Sequence, residues 1–164
     1  MTEQRAFIIV ENRLLKKRPE YIDDYANDML PMIGNTEILE ERLGAMTEQL
    51  NDLITQIEQL IQDNAHHARS QEEYSERFEV LNNSIEEKKA EITSVKQQIS
   101  DTLTRRENVR IFLEGLKGLD SIAERFDIPS WHALVDCVKI MSDKNIVFHL
   151  RNGCEEIVPM GDVQ

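Results

Sequence analysis

The 164-residue sequence contains little of several residue types that mark particular classes of protein. Its two cysteines do not form a CxxC pair, which excludes a disulfide framework and a zinc-ribbon ligand set within the chain. No stretch approaches the ~20 consecutive apolar residues that a membrane span requires. Glu3, Arg5 and Glu11 interrupt the first apolar run, so we expect no signal peptide and no membrane contact. These absences favour a protein of the reducing cytoplasm.

The sequence is also poor in turn formers and rich in acid. It has four prolines, six glycines and 40% hydrophobic residues, a composition that argues against a disordered tail. Acidic residues outnumber basic ones by 31 to 19, and residues 36–116 alone carry 17 acids against 9 bases. Such a chain does not attract nucleic acid through its overall field. Residues 36–116 contain no proline, which is typical of long helices.

Two heptad repeats predict a coiled coil in residues 36–116. The first has spacings of four and three: Leu39, Leu43, Met46, Leu50, Leu53, Ile57 and Leu60. The second has the same spacings and includes one lysine: Phe78, Leu81, Ile85, Lys88, Ile92, Val95 and Ile99. Between them the apolar period stops, and Ser70 followed by Glu73 fits a helix capping box. We expect a long antiparallel coiled-coil hairpin with its tip at about residues 65–71.

The segment of residues 1–35 predicts two short helices at the base of this hairpin. One apolar face runs from Phe7 to Leu15, and a second comprises Tyr21, Ile22, Tyr25, Met29 and Leu30. Pro19 suits the first turn of the second helix. Since the second arm of the hairpin is the longer one, its residues 101–116 need another partner. We expect the N-terminal helices to provide it.

Residues 117–164 predict a small α+β module. A short helix is expected over Leu119–Phe126, and Pro129 suits the start of another. Alternating apolar residues then begin at Cys137, and turn signals follow at residues 143–145 and at Asn152-Gly153. The pattern predicts a three-stranded antiparallel β-meander. The expected fold class is therefore mainly α, with one small sheet.

No catalytic constellation is visible, because the sequence has no G-x-S-x-G motif, no phosphate-binding glycine loop and no H-E-x-x-H. We therefore predict that the chain is not itself an enzyme and carries no cofactor or metal. Adjacent His66 and His67 point about 100° apart on a helix and do not converge on a metal. Cys137, His149 and Cys154 do not form two close ligand pairs, which favours both cysteines as buried small apolar residues.

Basic residues cluster at two places in this acidic chain. The residues are Lys16, Lys17 and Arg18 in the first cluster and Arg105, Arg106 and Arg110 in the second. A solvated helix face is the favoured interpretation, and contact with DNA phosphate is the sharper alternative. Lys88 also has two interpretations, a stem that reaches solvent and a polar seam residue that fixes the register, and the first is favoured.

Two segments together resemble the C-terminal region of the large serine recombinases, the enzymes of phage integration and of certain transposons. The first segment is the helix Ala6–Leu15, with Phe7, Asn12 and Leu14 at the family's positions. The second is residues 131–153, which read Trp-His-Ala-Leu-Val-Asp, then Ile-Val-Phe-His-Leu-Arg-Asn-Gly. The similarity extends over essentially the whole chain, although the coiled coil is compositionally generic.

The resemblance implies that the chain is the C-terminal fragment of a site-specific DNA recombinase. The nucleophilic serine and the cysteines of a zinc ribbon would lie upstream. In that family the coiled coil mediates contacts between recombinase subunits bound to different DNA sites, and it thereby controls synapsis and the direction of integration and excision. Other recombinase subunits are then the partners, and DNA is bound through the parent protein. We expect the tip to carry the contact through His66, His67, Arg69 and Tyr74.

Two alternatives stay open at this stage. The chain could be a free-standing coiled-coil adaptor or a chaperone-like interaction module. An exposed apolar stripe at the tip would favour this alternative, and residues 64–73 show none. It could also be an enzyme with an unrecognised site, although nothing in the sequence calls for one. Whatever the function, apolar residues left over from the seams could drive a homodimer, namely Ile54, Ile61 and Leu103.

Overall fold

The computed structural model describes residues 2–23, 33, 35–66 and 70–163, without the side chain of His66. Within these residues the chain is mainly helical (74%), with four α-helices and a three-stranded antiparallel sheet. The helices are α1 (Thr2–Asp23), α2 (Glu37–His66), α3 (Gln71–Lys117) and α4 (Ile128–Leu134). The strands are β1 (Val135–Ile140), β2 (Asn145–Leu150) and β3 (Glu155–Pro159), followed by a 3-10 turn at Met160–Val163. No helix in the described ranges combines the length and apolarity needed to cross a membrane.

The chain divides into two compact units, and α3 contributes to both. Residues 35–102 form one, here called the helical unit, and residues 1–34 with 103–164 form the other, here called the α/β unit. The helical unit contains 15 acids and 6 bases, whereas the α/β unit contains 16 acids and 13 bases. Most of the net negative charge therefore belongs to the helical unit.

In the helical unit, the heptad residues of α2 and α3 are the ones that become buried. Met46 of α2 forms a buried cluster with Ile92 and Val95 of α3. Further heptad residues pack against this cluster: Leu39, Leu43, Leu50 and Ile99. The Oγ of Ser70 accepts a hydrogen bond from the Glu73 N–H at 3.2 Å, which caps α3 at the predicted position.

α1 is a single helix over Thr2–Asp23, which corrects the prediction of a helix break at Pro19. An interior proline removes one N–H donor and crowds the preceding turn, at a cost of about 3 kcal/mol. The residues that follow offset this cost, because Tyr21 and Ile22 pack against the core. The Tyr21 ring lies 5.8 Å from the ring of Phe112 in an edge-to-face arrangement. Tyr25, Met29 and Leu30, also assigned to the second helix, lie outside the described residues.

The core of the α/β unit joins α1, the end of α3 and the inner face of the sheet. Its fully buried side chains include Phe7 and Leu14 from α1, Phe112 and Leu116 from α3, and Phe148 from β2. The Phe7 ring also lies 5.1 Å from the ring of Trp131, just before the sheet. The packing predicted between the N-terminal segment and the end of the second long helix is therefore present.

No helix forms over Leu119–Phe126, so that prediction is wrong. The Asn12 side chain donates a hydrogen bond to the Ala123 carbonyl at 3.0 Å and accepts one from the Ala123 N–H at 2.8 Å. Arg18 donates to the Leu119 carbonyl at 2.6 Å. These side chains of α1 occupy backbone groups that a helix would satisfy internally.

The predicted β-meander is present, with its strands in the order β1-β2-β3. Lys144 (φ 64°) and Gly153 (φ 88°) supply the left-handed backbone that the two tight turns need. α4 begins as predicted, because the Asp127 side chain accepts a hydrogen bond from the Ser130 N–H at 2.8 Å. β1 begins at Val135, two residues before the predicted start, and its register shifts before Cys137.

Candidate functional site

Most of the residues predicted to contact another subunit at the tip lie outside the residues that the structure describes. His67 and Arg69 are outside the described residues, as is the side chain of His66. Tyr74 lies in the first turn of α3 and is half-buried, with its ring 5.9 Å from the ring of Phe78. Phe78 occupies a heptad position but is 36% exposed. Tyr74 and Phe78 thus form an aromatic pair, defined here as the tip pair, that is accessible to a partner.

A groove near the start of α3 adds to this surface. Residues of both long helices form its walls: Gln56, Gln59, Leu60, Asp63, Glu76, Arg77, Val80 and Leu81. Val80 is 64% exposed, and Ile61 of α2 is 47% exposed. Sequence reasoning predicted no exposed apolar residues over 64–73, and the exposed side chains lie just outside that window. Val80 escaped notice because it is not a heptad residue.

Two residues of the first basic cluster are held by partners within the α/β unit. Lys17 Nζ lies 2.8 Å from Glu156 Oε1, and Arg18 is bonded to the Leu119 carbonyl. The hydrogen bond to Glu156 stabilises the charged form of Lys17 and so raises its pKa. Lys17 and Arg18 thus stabilise the fold, whereas Lys16 is exposed and has no partner among the described residues.

The second basic cluster divides in the same way. Arg110 forms ion pairs with Glu107 and Glu114 along α3, and the hydrogen bonding that it donates to Glu107 is the main cause of its raised pKa. Arg105 and Arg106 are exposed. Among the described residues, neither of them has an ion-pair or hydrogen-bond partner. Of the six cations predicted to contact phosphate, Lys16, Arg105 and Arg106 are thus the exposed ones that have no partner within the described part of the chain.

Lys88, on the seam of α3, lies at the edge of the helical unit. Its Nζ is 2.7 Å from Glu91 Oε2, three residues further along the same helix, and its side chain is 22% exposed. The Lys88 interaction lowers the pKa of Glu91, chiefly by hydrogen bonding. This geometry matches the favoured interpretation, in which the Lys88 stem lies along the seam and its charge reaches solvent.

The cysteines and His149 do not form a metal site. Cys137 is exposed and Cys154 is half-buried, so neither is the fully buried residue that was expected. The irregularity before Cys137 moves it out of the inward alternation of β1. His149 is paired in register with Cys137 and Glu155, and its Nδ1 lies 3.0 Å from Glu155 Oε1. No group of three histidine, cysteine or acidic side chains in the described ranges is placed to hold a metal ion.

Glu11 is a buried acid that the sequence analysis did not single out. It is 5% exposed, and its Oε2 has no hydrogen-bond partner within the described residues. Burial raises the pKa of Glu11, a hydrogen bond with Ser130 opposes that effect, and the charge of Asp127 adds to it. The signal was available, because Phe7 and Leu14 at positions i−4 and i+3 place Glu11 on the buried face of α1.

Glu156 and Arg151 were also missed. Glu156 is 8% exposed because it alternates inward with Val158 on β3. Arg151 donates to the His132 carbonyl at 2.7 Å and to Asn108 Oδ1 at 3.1 Å, linking α3, α4 and the turn after β2. The alternation of β3 could have identified Glu156 as an inward-facing acid. No local sequence pattern indicates the contacts of Arg151, because its partners lie at distant positions in the sequence.

No protein family matches this chain, and comparison with curated proteins and with solved structures likewise gives no match.

Proposed function

We propose that the chain is the C-terminal region of a large serine recombinase. In this proposal the helical unit is an antiparallel coiled-coil hairpin, and its tip contacts another recombinase subunit. The contact brings together two DNA-bound complexes and sets the direction of integration or excision. The chain itself performs no catalysis, works in the cytoplasm and reaches DNA through the parent protein.

Burial of the two heptad seams is the observation that carries this proposal. Met46 of α2 meets Ile92 and Val95 of α3, whereas Leu60, further along α2, shares a groove with Leu81, earlier in α3. An antiparallel hairpin requires this order, in which later residues of α2 lie beside earlier residues of α3. Alternating spacings of four and three favour supercoiling of such a pair.

Charge supports a protein rather than a nucleic acid as the partner of the helical unit. With 15 acids against 6 bases, this unit repels phosphate. The tip pair and the neighbouring exposed Val80 instead offer apolar surface. One such contact is weak, but two DNA-bound recombinase dimers present several contacts at once, and linked contacts raise the effective affinity.

The test replaces residues 65–69 by glycine and serine, and Tyr74 and Val80 by serine, in the intact recombinase, and it keeps Ser70, the cap of α3. Because the recombinase binds DNA through other parts of the parent protein, its affinity for a single DNA site should not change. Formation of the two-site synaptic complex, measured by gel shift, should fall at least tenfold. The matched control replaces the exposed mid-helix residues Glu86 and Glu87 by glutamine and should leave synapsis intact. Unchanged synapsis in the tip variant would contradict the proposal.

A free-standing adaptor or chaperone-like module is the second candidate. The exposed apolar side chains of Ile61, Phe78 and Val80 favour it, because surfaces of this kind bind unfolded or helical partners. This alternative predicts that the isolated chain suppresses aggregation of reduced insulin, measured by light scattering. The recombinase proposal predicts no such suppression. Sedimentation of the isolated chain tests the homodimer through Ile54, Ile61 and Leu103.

A further inference from the structure

A second groove, here called the acidic groove, lies in the α/β unit between α1 and the segment that precedes α4. Its walls carry four acidic side chains and one basic side chain: Glu11, Asp120, Glu124, Asp127 and Arg125. The two hydrogen bonds between the Asn12 side chain and the Ala123 backbone hold one wall in place. The groove is therefore a fixed feature of the unit with an excess of negative charge.

In the ranges that the structure describes, Glu11 is a buried acid in this groove that lacks both a full set of hydrogen bonds and a neighbouring cation. Its side chain is more than nine-tenths buried and its Oε2 has no partner among the described residues. The groups that act on its charge are the Ser130 hydroxyl and the like charge of Asp127, and no cation is among them. A buried carboxylate normally has an opposite charge beside it, because desolvation without one is expensive.

We infer that the acidic groove binds an arginine side chain of a partner protein, with Glu11 as the buried end of the site. A guanidinium supplies five N–H donors in a planar fork and can bond two acceptors at once. Glu11 is itself among the residues that line the groove, and the last torsion of its side chain is soft, so its carboxylate can adjust to a bound guanidinium. Asp127 lies beside it, and the exposed Ile122 in the groove wall offers apolar contact to the stem of the arginine.

An organic cation fits this groove better than a metal ion does. The described residues contain no group of three acidic, histidine or cysteine side chains placed to hold a metal. The inference does not depend on the proposed recombinase function, because it uses only the geometry of the α/β unit. The two can therefore fail separately.

The test is an NMR titration of the full chain with N-acetyl-L-arginine methylamide. Its neutral isostere, N-acetyl-L-citrulline methylamide, is the ligand control. The arginine compound should shift the backbone amides of Ala123 and Ser130 in a saturable way. It should leave the amide of Lys144, in the turn after β1, unmoved. Binding of equal strength by the citrulline compound would overturn the inference.

Variants of the chain complete the test. Glu11→Gln, which keeps the shape and removes the charge, should weaken binding at least fivefold while the spectrum stays that of the folded protein. Glu20→Gln makes the same change at an exposed position of the same helix and should leave binding unchanged. Arg125→Ala removes the cation that competes for the groove and should maintain or strengthen binding. Undiminished binding by Glu11→Gln, or weaker binding by Arg125→Ala, would contradict the assignment.

Discussion

The Lys17 ammonium lies 2.8 Å from the Glu156 carboxylate, so a nearly fully buried acid of β3 is paired with a cation of α1. Arg13, one turn earlier on α1, lies 3.6 Å from the same carboxylate and donates to the Ile157 carbonyl at 2.8 Å. Together these contacts join the first helix to the last strand, the two ends of the α/β unit in sequence. A buried charge of this kind depends on its partners.

Replacing Lys17 by alanine should destabilise the chain by about 1 kcal/mol, because the buried Glu156 then loses its closest donor. The value is below the roughly 1.5–3 kcal/mol typical of hydrogen bonds to charged groups, because the Lys17 side chain is half-exposed. Urea unfolding measures the change. The neighbouring Lys16→Ala, which removes an exposed cation, should stay within about 0.5 kcal/mol. Equal effects of the two variants would show that the ion pair contributes nothing.

The ion pair of Lys17 and Glu156 also predicts that the stability of the chain depends on pH in the alkaline range. Because the pKa of Lys17 is raised from 10.5 on folding, its contribution is fully present below that value. The contribution is lost as the pH rises through the folded pKa. The stability difference between the wild type and Lys17→Ala should therefore hold at neutral pH and shrink above about pH 10.5. A difference that stays constant into strong base would contradict the pairing.

Glu11→Gln should raise the stability of the chain at neutral pH, on the order of 1 kcal/mol. Burial raises the folded pKa of Glu11 above 4.5, so the folded state holds its proton more tightly than the unfolded chain does. Ionisation therefore lowers stability as the pH rises through the window above 4.5. The advantage of the variant should shrink when unfolding is measured at acidic pH. An advantage that grows on acidification would contradict the assigned burial.

Two glycines allow core packing and helix propensity to be compared, because alanine should have opposite effects at the two positions. A Cβ at Gly115 would lie 2.5 Å from the Cβ of Ala133, so Gly115→Ala should destabilise by about 1–3 kcal/mol. A Cβ at Gly44, inside α2, would meet no atom within 4 Å, so Gly44→Ala should stabilise by up to about 1 kcal/mol. Thermal unfolding should show opposite signs, and a tolerated alanine at 115 would contradict the close approach of α3 and α4.

The phosphate-contact hypothesis now applies chiefly to Lys16, Arg105 and Arg106. In the intact recombinase, replacing all three by alanine should reduce the salt dependence of DNA binding, by about one unit of log–log slope for each contact made. Arg110→Ala is the control, because Glu107 and Glu114 already occupy its guanidinium. An unchanged slope in the triple variant would assign these residues to a solvated surface.

Much of the fold followed from local pattern. Within the helical unit, every fully or nearly buried residue of α2 and α3 is a heptad residue, although the heptad residue Phe78 is exposed. Ser70 marked the start of α3. Turn chemistry located the two tight turns of the sheet, because Asn152-Gly153 favours left-handed backbone and Asp143 and Asn145 are turn formers. Each of these signals acts over a few residues, which is why the sequence alone contains them.

The errors came from contacts between residues distant in sequence. The helix predicted over residues 119–126 does not form, because Asn12 and Arg18 of α1 bind its backbone. The break predicted at Pro19 is absent, because Tyr21 packs on Phe112. Among the candidate site residues, only the structure could separate the paired Lys17 from the unpaired Lys16, since the partner of Lys17 is 139 positions away.

The most direct test of the recombinase account is the reading frame upstream of codon 1. The account predicts an open frame that continues back through paired cysteines to a serine recombinase domain. A start codon with a ribosome-binding site at this position, and no such frame before it, would contradict the account. The chain would then be a free-standing coiled-coil protein.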